Sequence, residues 1–187
     1  MKKIGTITKY NIFIIIIVLT IISVVSIGTY ALLVYNSTRN TELTIRIGEL
    51  SSCVGNKGPD LTASNLGPVF NYTDGESTTF TVSNYTNASI PVTITLKVTN
   101  ISSGLKRSDF KYAVSSSTNG TTYTKLSEGN FSSATNGGTI TLLSAGALSV
   151  NTTATYRVTI FIDGNVQNPT TMMSGSLSGT LNVSATC

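Results

Sequence analysis

Ile90-Pro91-Val92-Thr93-Ile94-Thr95-Leu96-Lys97-Val98-Thr99-Asn100 is the stretch whose reading decides the fold. Ile90, Val92, Ile94, Leu96 and Val98 fall on one side of an extended chain, and Thr93, Thr95, Lys97 and Thr99 on the other. This is the two-residue period of a strand with one face in a core and one in water. β-Branched residues dominate both sets, and they fit a pleated sheet better than a helix. Pro91 stands near the strand start, where a missing N–H is tolerated.

Working outward, the alternation recurs from Ala154 to Asp163. Ala154, Tyr156, Val158, Ile160 and Ile162 are expected inward, with Thr155, Arg157 and Thr159 outward. Leu177, Leu181, Val183 and Ala185 repeat it near the C-terminus, where Gly179 marks a bulge or a close backbone approach. Shorter candidates run from Thr41 to Ile47, Thr78 to Asn84, Phe110 to Ser115, Tyr123 to Leu126 and Thr139 to Leu143. Turn chemistry separates them: Asn56 to Pro59, Asp74-Gly75, Asn119-Gly120, Asn136-Gly137-Gly138 and Asp163-Gly164-Asn165. Asn119-Gly120 is the strongest hairpin signal. Seven or eight strands, each with one polar face, describe an all-β fold. It is an antiparallel β-sandwich over residues 36–187, with a jelly roll favoured over an immunoglobulin-like arrangement.

Composition restricts the chemistry. The 187 residues hold no His and no Trp, and only 11% are charged. Polarity comes instead from 24 Ser and 31 Thr. Without His there is no Ser-His-Asp triad, no Cys-His dyad and no His-ligated zinc. The net charge of +4 is mostly positional, since Lys2, Lys3 and Lys9 precede a long apolar run. Beyond Tyr35, nine basic residues face eight acidic ones, and no basic run suits a phosphate backbone. Nucleic acid is not an expected partner.

No charge occurs from Tyr10 to Thr38. As a helix, the 26 residues from Tyr10 to Tyr35 would reach about 39 Å, more than a bilayer's hydrocarbon core. The expected organisation is a basic cytoplasmic tail (1–9), a transmembrane helix or signal anchor (10–35) and an extracytoplasmic domain (36–187), oriented by the preceding lysines. Protein of this kind sits in the cell membrane with a single pass. Thr29-Tyr30-Ala31 offers the alternative of cleavage near Ala31 and secretion. A pilin stem is a further reading, prompted by Lys2-Lys3-Ile4-Gly5, although Tyr10 stands where pilins carry Glu.

Several segments together resemble a known family. Gly28-Thr29-Tyr30-Ala31 closes the apolar run, and Ile47-Gly48-Glu49-Leu50 ends the first strand. Phe80-Thr81-Val82-Ser83-Asn84 follows mid-chain, then Tyr156 to Asp163, Met172-Met173 and the strand from Ser176 to Val183. This order resembles the TasA/camelysin-like jelly-roll surface proteins of Gram-positive bacteria. The resemblance implies a surface or secreted β protein, in some members built into matrix fibres by strand exchange. It also brings a metallopeptidase label. H-E-x-x-H is impossible here, and the acids (Glu42, Glu49, Asp60, Asp74, Glu76, Asp109, Glu128, Asp163) are scattered. No catalytic, cofactor-binding or metal-binding residue is therefore assigned, and no cofactor is expected. The chain is read as a non-catalytic surface protein of adhesion or matrix assembly. Self-assembly would run through the segment from Asn36 to Ile47, offered as an edge strand. A surface peptidase, a carbohydrate-binding module and a pilin-like subunit are the alternatives. For sugar binding, Tyr72, Tyr85, Tyr112 and Tyr123 are the candidates.

Cys53 and Cys187 are the only cysteines, and both lie beyond the apolar run. An intramolecular disulfide between Cys53 and Cys187 is the expected arrangement, and it would close a loop of about 134 residues and contribute about 4–5 kcal/mol at most. Two free thiols, or an intermolecular bridge through Cys187, are the other arrangements. Asn-x-Ser/Thr occurs at Asn36, Asn71, Asn84, Asn87, Asn100, Asn119, Asn130, Asn151 and Asn182. Nine exceeds the four or five that 16 Asn and 55 Ser/Thr give by chance, and calls for glycosylation or for turn chemistry as the cause.

Overall fold

The computed structural model describes residues 14, 16–22, 41–50, 54–57, 59–63, 66–166, 172 and 174–186. The chain divides into two units, Met1–Thr38 and Arg39–Cys187. In the first, residues 16–22 are helical, and Ile16, Leu19, Ile21 and Ile22 are exposed. Among the described residues no helix is long and apolar enough to cross a membrane. The rest of the expected 10–35 span, the cleavage position at Ala31, and both Cys53 and Cys187 lie outside the described residues.

The second unit is an all-β sandwich of two sheets. Its strands are β1 (Glu42–Leu50), β2 (Val54–Lys57), β3 (Leu61–Ala63), β4 (Pro68–Val69), β5 (Glu76–Ser83) and β6 (Ile90–Ile101). They continue with β7 (Phe110–Ser117), β8 (Thr124–Asn130), β9 (Thr139–Leu148), β10 (Thr153–Asp163) and β11 (Ser176–Ala185). The first sheet has the order β3-β1-β11-β6-β9 and the second β2-β5-β10-β7-β8, with β4 beside the end of β10.

Hydrophobic alternation explains the sandwich. Val92, Ile94, Leu96 and Val98 of β6 are fully buried, while Lys97 and Thr99 are exposed. Opposite them, β10 contributes Tyr156, Val158, Ile160 and Ile162, and β5 contributes Phe80 and Val82. Phe80 and Tyr156 stack with centroids 5.8 Å apart. Phe131, just past β8, packs against Phe110 at 4.7 Å and meets Tyr112 edge-on. Each large side chain taken fully out of water contributes about 1.5–3 kcal/mol.

Among the described residues eleven strands stand where seven or eight were expected, because β2, β3 and β4 are too short to show a period. Val54–Lys57 runs as strand through the expected turn at Asn56, with a register shift between Gly55 and Lys57. The sandwich is not wholly antiparallel either: β1 pairs with β11 in parallel, Glu42 with Ser176 through Leu50 with Val183. First and last strands cannot be joined by a hairpin, so either direction was open to them. Nor is β1 an edge strand, since β3 covers its other side at Leu43, Thr44 and Ile45.

Thr159 lies on the outward side as expected, but it is buried there. A 3-10 turn at Tyr72–Asp74 ends at Gly75, where a Cβ would lie 2.7 Å from Phe161 Cβ and 2.9 Å from Thr159 Cγ2. That turn covers the outer face of β10 at Thr159 and Phe161. Gly179 behaves as its sequence position suggests. The β11–β6 register shifts between Ser178 and Gly179, and a Cβ there would sit 2.7 Å from the Lys97 carbonyl oxygen.

Candidate functional site

Where the sheets end, their edge strands β8 and β9 face each other, and both are bulged. In β8, Ser127 pairs with Val114 and Lys125 with Ser115, which leaves Leu126 out of register and 44% exposed. In β9, register shifts on both sides of Ile94 leave Leu142 and the Ser144-Ala145 step without ladder partners on β6, where the Ala145 N–H donates instead to Thr93 Oγ1 at 3.4 Å. The first shift turns the adjacent Leu142 and Leu143 both into the core. The second puts Ala145 at φ 49°, a left-handed conformation that costs a non-glycine residue about 1–2 kcal/mol. Asn119-Gly120, the expected hairpin, closes β7 onto β8. Asn119 Oδ1 accepts from the backbone N–H of Thr121 and Thr122, and Gly120 takes φ 74°. This is the only pair of consecutive described strands that are sheet neighbours.

Between the bulged edges lies a crevice of about 360 Å³. Its apolar lining includes Leu126, Leu143, Leu148, Ala154 and Tyr156, and its hydroxyl lining is Ser116, Thr118, Ser144, Ser149 and Thr152. Among the described residues no charged one lines it. Side-chain bonds hold its walls. Ser127 Oγ donates to the Leu142 carbonyl and Tyr112 Oη to that of Thr141, joining the two sheets across the open edge. Asn84, buried, donates from Nδ2 to the carbonyls of Ala88, Leu148 and Ser149. Burial raises the pKa of the Tyr156 phenol, so that group stays neutral.

The sequence-suggested tyrosines do not form one platform. Tyr112 belongs to the core, and Tyr85 is 79% exposed in the loop after β5. Tyr72 and Tyr123 lie on the outer side of the second sheet, each engaged by a cation. Lys125 Nζ is 5.3 Å from the Tyr72 centroid, and the Arg157 guanidinium is 3.7 Å from that of Tyr123. Ser115 and Thr159 lie on the same side, their hydroxyls buried without a hydrogen-bond partner among the described residues. Lys111 meets Asp163 at 2.6 Å and Glu128 at 3.8 Å.

Of the acids, Glu128 and Asp163 come together at Lys111. Asp60 accepts from the Ile47 N–H, Asp109 pairs with Arg107, Glu128 with Lys125, and Asp163 with Lys111. Asp74 and Glu76 flank Gly75 beside a hollow of about 200 Å³. Among the described residues no three His, Cys, Asp or Glu come close enough to hold a metal ion. A wider hollow of about 590 Å³ on the outer face of the first sheet is open and lined chiefly by Thr, Ser and Asn with Lys97.

Turn chemistry accounts for part of the Asn-x-Ser/Thr excess. At Asn71, Asn84, Asn119 and Asn130 the Oδ1 accepts from the backbone N–H two residues on, and at Asn84 and Asn130 from that residue's hydroxyl as well. Asn84, with its amide nitrogen bonded to three carbonyls, is closed to modification in the folded chain.

No family model and no curated protein matches the chain. Among solved structures it is similar to the C-terminal domain of a chitobiase from Bacteroides fragilis (11% identity, 59% of this chain and 64% of that one, TM-score 0.33). The chain thus spans just under two thirds of that structure. It is also similar to a CBM32 module from Clostridium perfringens solved with GalNAc-β-1,3-galactose (19% identity, 60% and 70%, TM-score 0.31). A third is a CBM35 solved with a glucuronic acid-containing disaccharide (10% identity, 72% and 81%, TM-score 0.36).

Proposed function

We propose that the chain is a non-catalytic, extracytoplasmic β-sandwich that serves adhesion or the assembly of an extracellular matrix. The observation that carries this reading is the position of β1. It is the first described strand of its unit, it buries Leu43, Ile45 and Ile47, and it is held by a parallel pairing on β11 that is unbroken from Glu42 to Ile47, but by only three pairs on β3. A strand so placed is one that a second copy can supply, because the incoming strand would meet the same β11 edge and fill the same apolar row. The resemblance to TasA/camelysin-like proteins supports the same reading. The frequent change of sheet along the chain favours the jelly-roll description. Removal of residues 39–50 tests it: the shortened chain should capture a synthetic peptide of residues 41–50. A shortened chain that folds, stays monomeric and ignores the peptide would refute assembly through this strand.

A second reading, a carbohydrate-binding module, is favoured by one observation, the uncharged, hydroxyl-rimmed crevice between β8 and β9.

A further inference from the structure

We propose that the crevice between β8 and β9 is a binding site for one ring of a neutral saccharide; this rests on the second reading above and gives it a place and a ligand class. Three features of the crevice select that chemistry. Its volume of about 360 Å³ falls within the range of small-molecule sites. Its lining divides into an apolar part (Leu126, Leu143, Leu148) and a set of hydroxyls. A pyranose ring divides the same way, with C–H groups on its faces and hydroxyls around its edge. The hydroxyls of Ser116, Thr118, Ser144 and Ser149 spend no hydrogen bond on another described residue, so they are available to a ligand. The absence of any charged residue from the described lining selects a neutral ligand over an anionic one, because burying a carboxylate or phosphate without a counter-charge is costly.

The bulges disfavour the other occupant that an open sandwich edge attracts. A peptide strand adds to an edge through an unbroken ladder of N–H and C=O groups. Both edge strands are bulged against their inner neighbours, at Leu126 in β8 and at Leu142 and Ser144-Ala145 in β9, and a bulge bends and twists its strand, which works against strand addition beside the crevice. The same bulges open the cavity and bring Leu126 to its wall. Asn84 fixes the opposite wall at Leu148 and Ser149, so the site is formed before a ligand arrives.

The test is calorimetric titration of the full chain with neutral trisaccharides of glucose, N-acetylglucosamine and galactose, and with trigalacturonate. At least one neutral sugar should bind with a Kd of about 1 mM or tighter, and trigalacturonate more weakly than that sugar. Ala147→Phe, at an exposed position of the lining, should weaken binding at least about tenfold with an unchanged melting temperature, and Ser144→Phe serves if Ala147→Phe does not fold. No binding by any neutral sugar at about 10 mM would overturn the site together with the carbohydrate reading. Binding that survives both Phe variants but is lost in Tyr123→Ala would leave the carbohydrate reading standing and move the site to the outer face of the second sheet. Tighter binding of trigalacturonate than of every neutral sugar would overturn the ligand class.

Discussion

Ser115 and Thr159 each bury a hydroxyl that finds no partner among the described residues, on neighbouring strands of the second sheet. A buried hydroxyl without a hydrogen bond costs about 1–3 kcal/mol. Ser115→Ala and Thr159→Val remove that cost and keep nearly the same shape. Each variant should therefore melt at the same temperature or higher, with a gain of up to about 1 kcal/mol in urea unfolding. A loss of more than about 1 kcal/mol would mean that each hydroxyl has a partner after all, such as a bound water. Asn84 is the opposite case, since its amide nitrogen serves three carbonyls and its Oδ1 serves Thr86. Asn84→Asp places acceptor oxygens against acceptor carbonyls. The expected loss is about 3 kcal/mol or more, read in the same unfolding experiment.

Among the elements, β7 and β10 are joined on their outer side by Lys111 and Asp163. The hydrogen bond from Lys111, more than its charge, holds the Asp163 carboxyl below its ordinary value of 3.8, and the same bond raises Lys111 above 10.5. Asp163 therefore adds stability above about pH 4 that disappears as pH falls through its lowered folded pKa. Lys111 adds stability below its unfolded value that disappears as pH rises through its raised folded one. The pair is about a quarter exposed, which keeps its worth to about 1 kcal/mol or less. Asp163→Asn should lose that amount near neutral pH and unfold with a shallower dependence on acid, measured by urea midpoints at about pH 3 and about pH 7. An acid dependence unchanged by the substitution would show that the pair contributes nothing.

The longer elements were legible in sequence because one face of each strand meets water. β6 and β11 alternate cleanly, β10 does so up to Val158, and the ends of all three in the structure fall within a residue or two of the pattern. Thr159 escaped because its burial comes from a turn some 85 residues earlier in the chain, which no local period records. Partner and direction escaped as well, since alternation shows which side of a strand is apolar and says nothing of its neighbour. The crevice had one faint sign. Thr124-Lys125-Leu126-Ser127-Glu128-Gly129-Asn130 does not alternate, and that is where β8 is bulged. The double leucine Leu142-Leu143 marks the matching bulge in β9.

At the scale of the whole molecule, the sandwich is completed by bringing its two chain ends together. Joining β1 to β11 closes a loop of more than a hundred residues, and the closure entropy is lost before any contact forms. The buried row on β1 must offset it. Ile47 and Leu181 are direct partners in that pairing, 3% and 1% exposed. Ile47→Ala and Leu181→Ala should each cost about 2–4 kcal/mol. Because the two side chains share one cavity when both are truncated, the double variant should lose less than the sum of the singles, by about 0.5 kcal/mol or more. Urea unfolding of the wild type, the two singles and the double measures this directly. Additivity within about 0.3 kcal/mol would mean that the two side chains do not touch, and would remove the parallel register on which both the closure of the sandwich and its opening for a second copy depend.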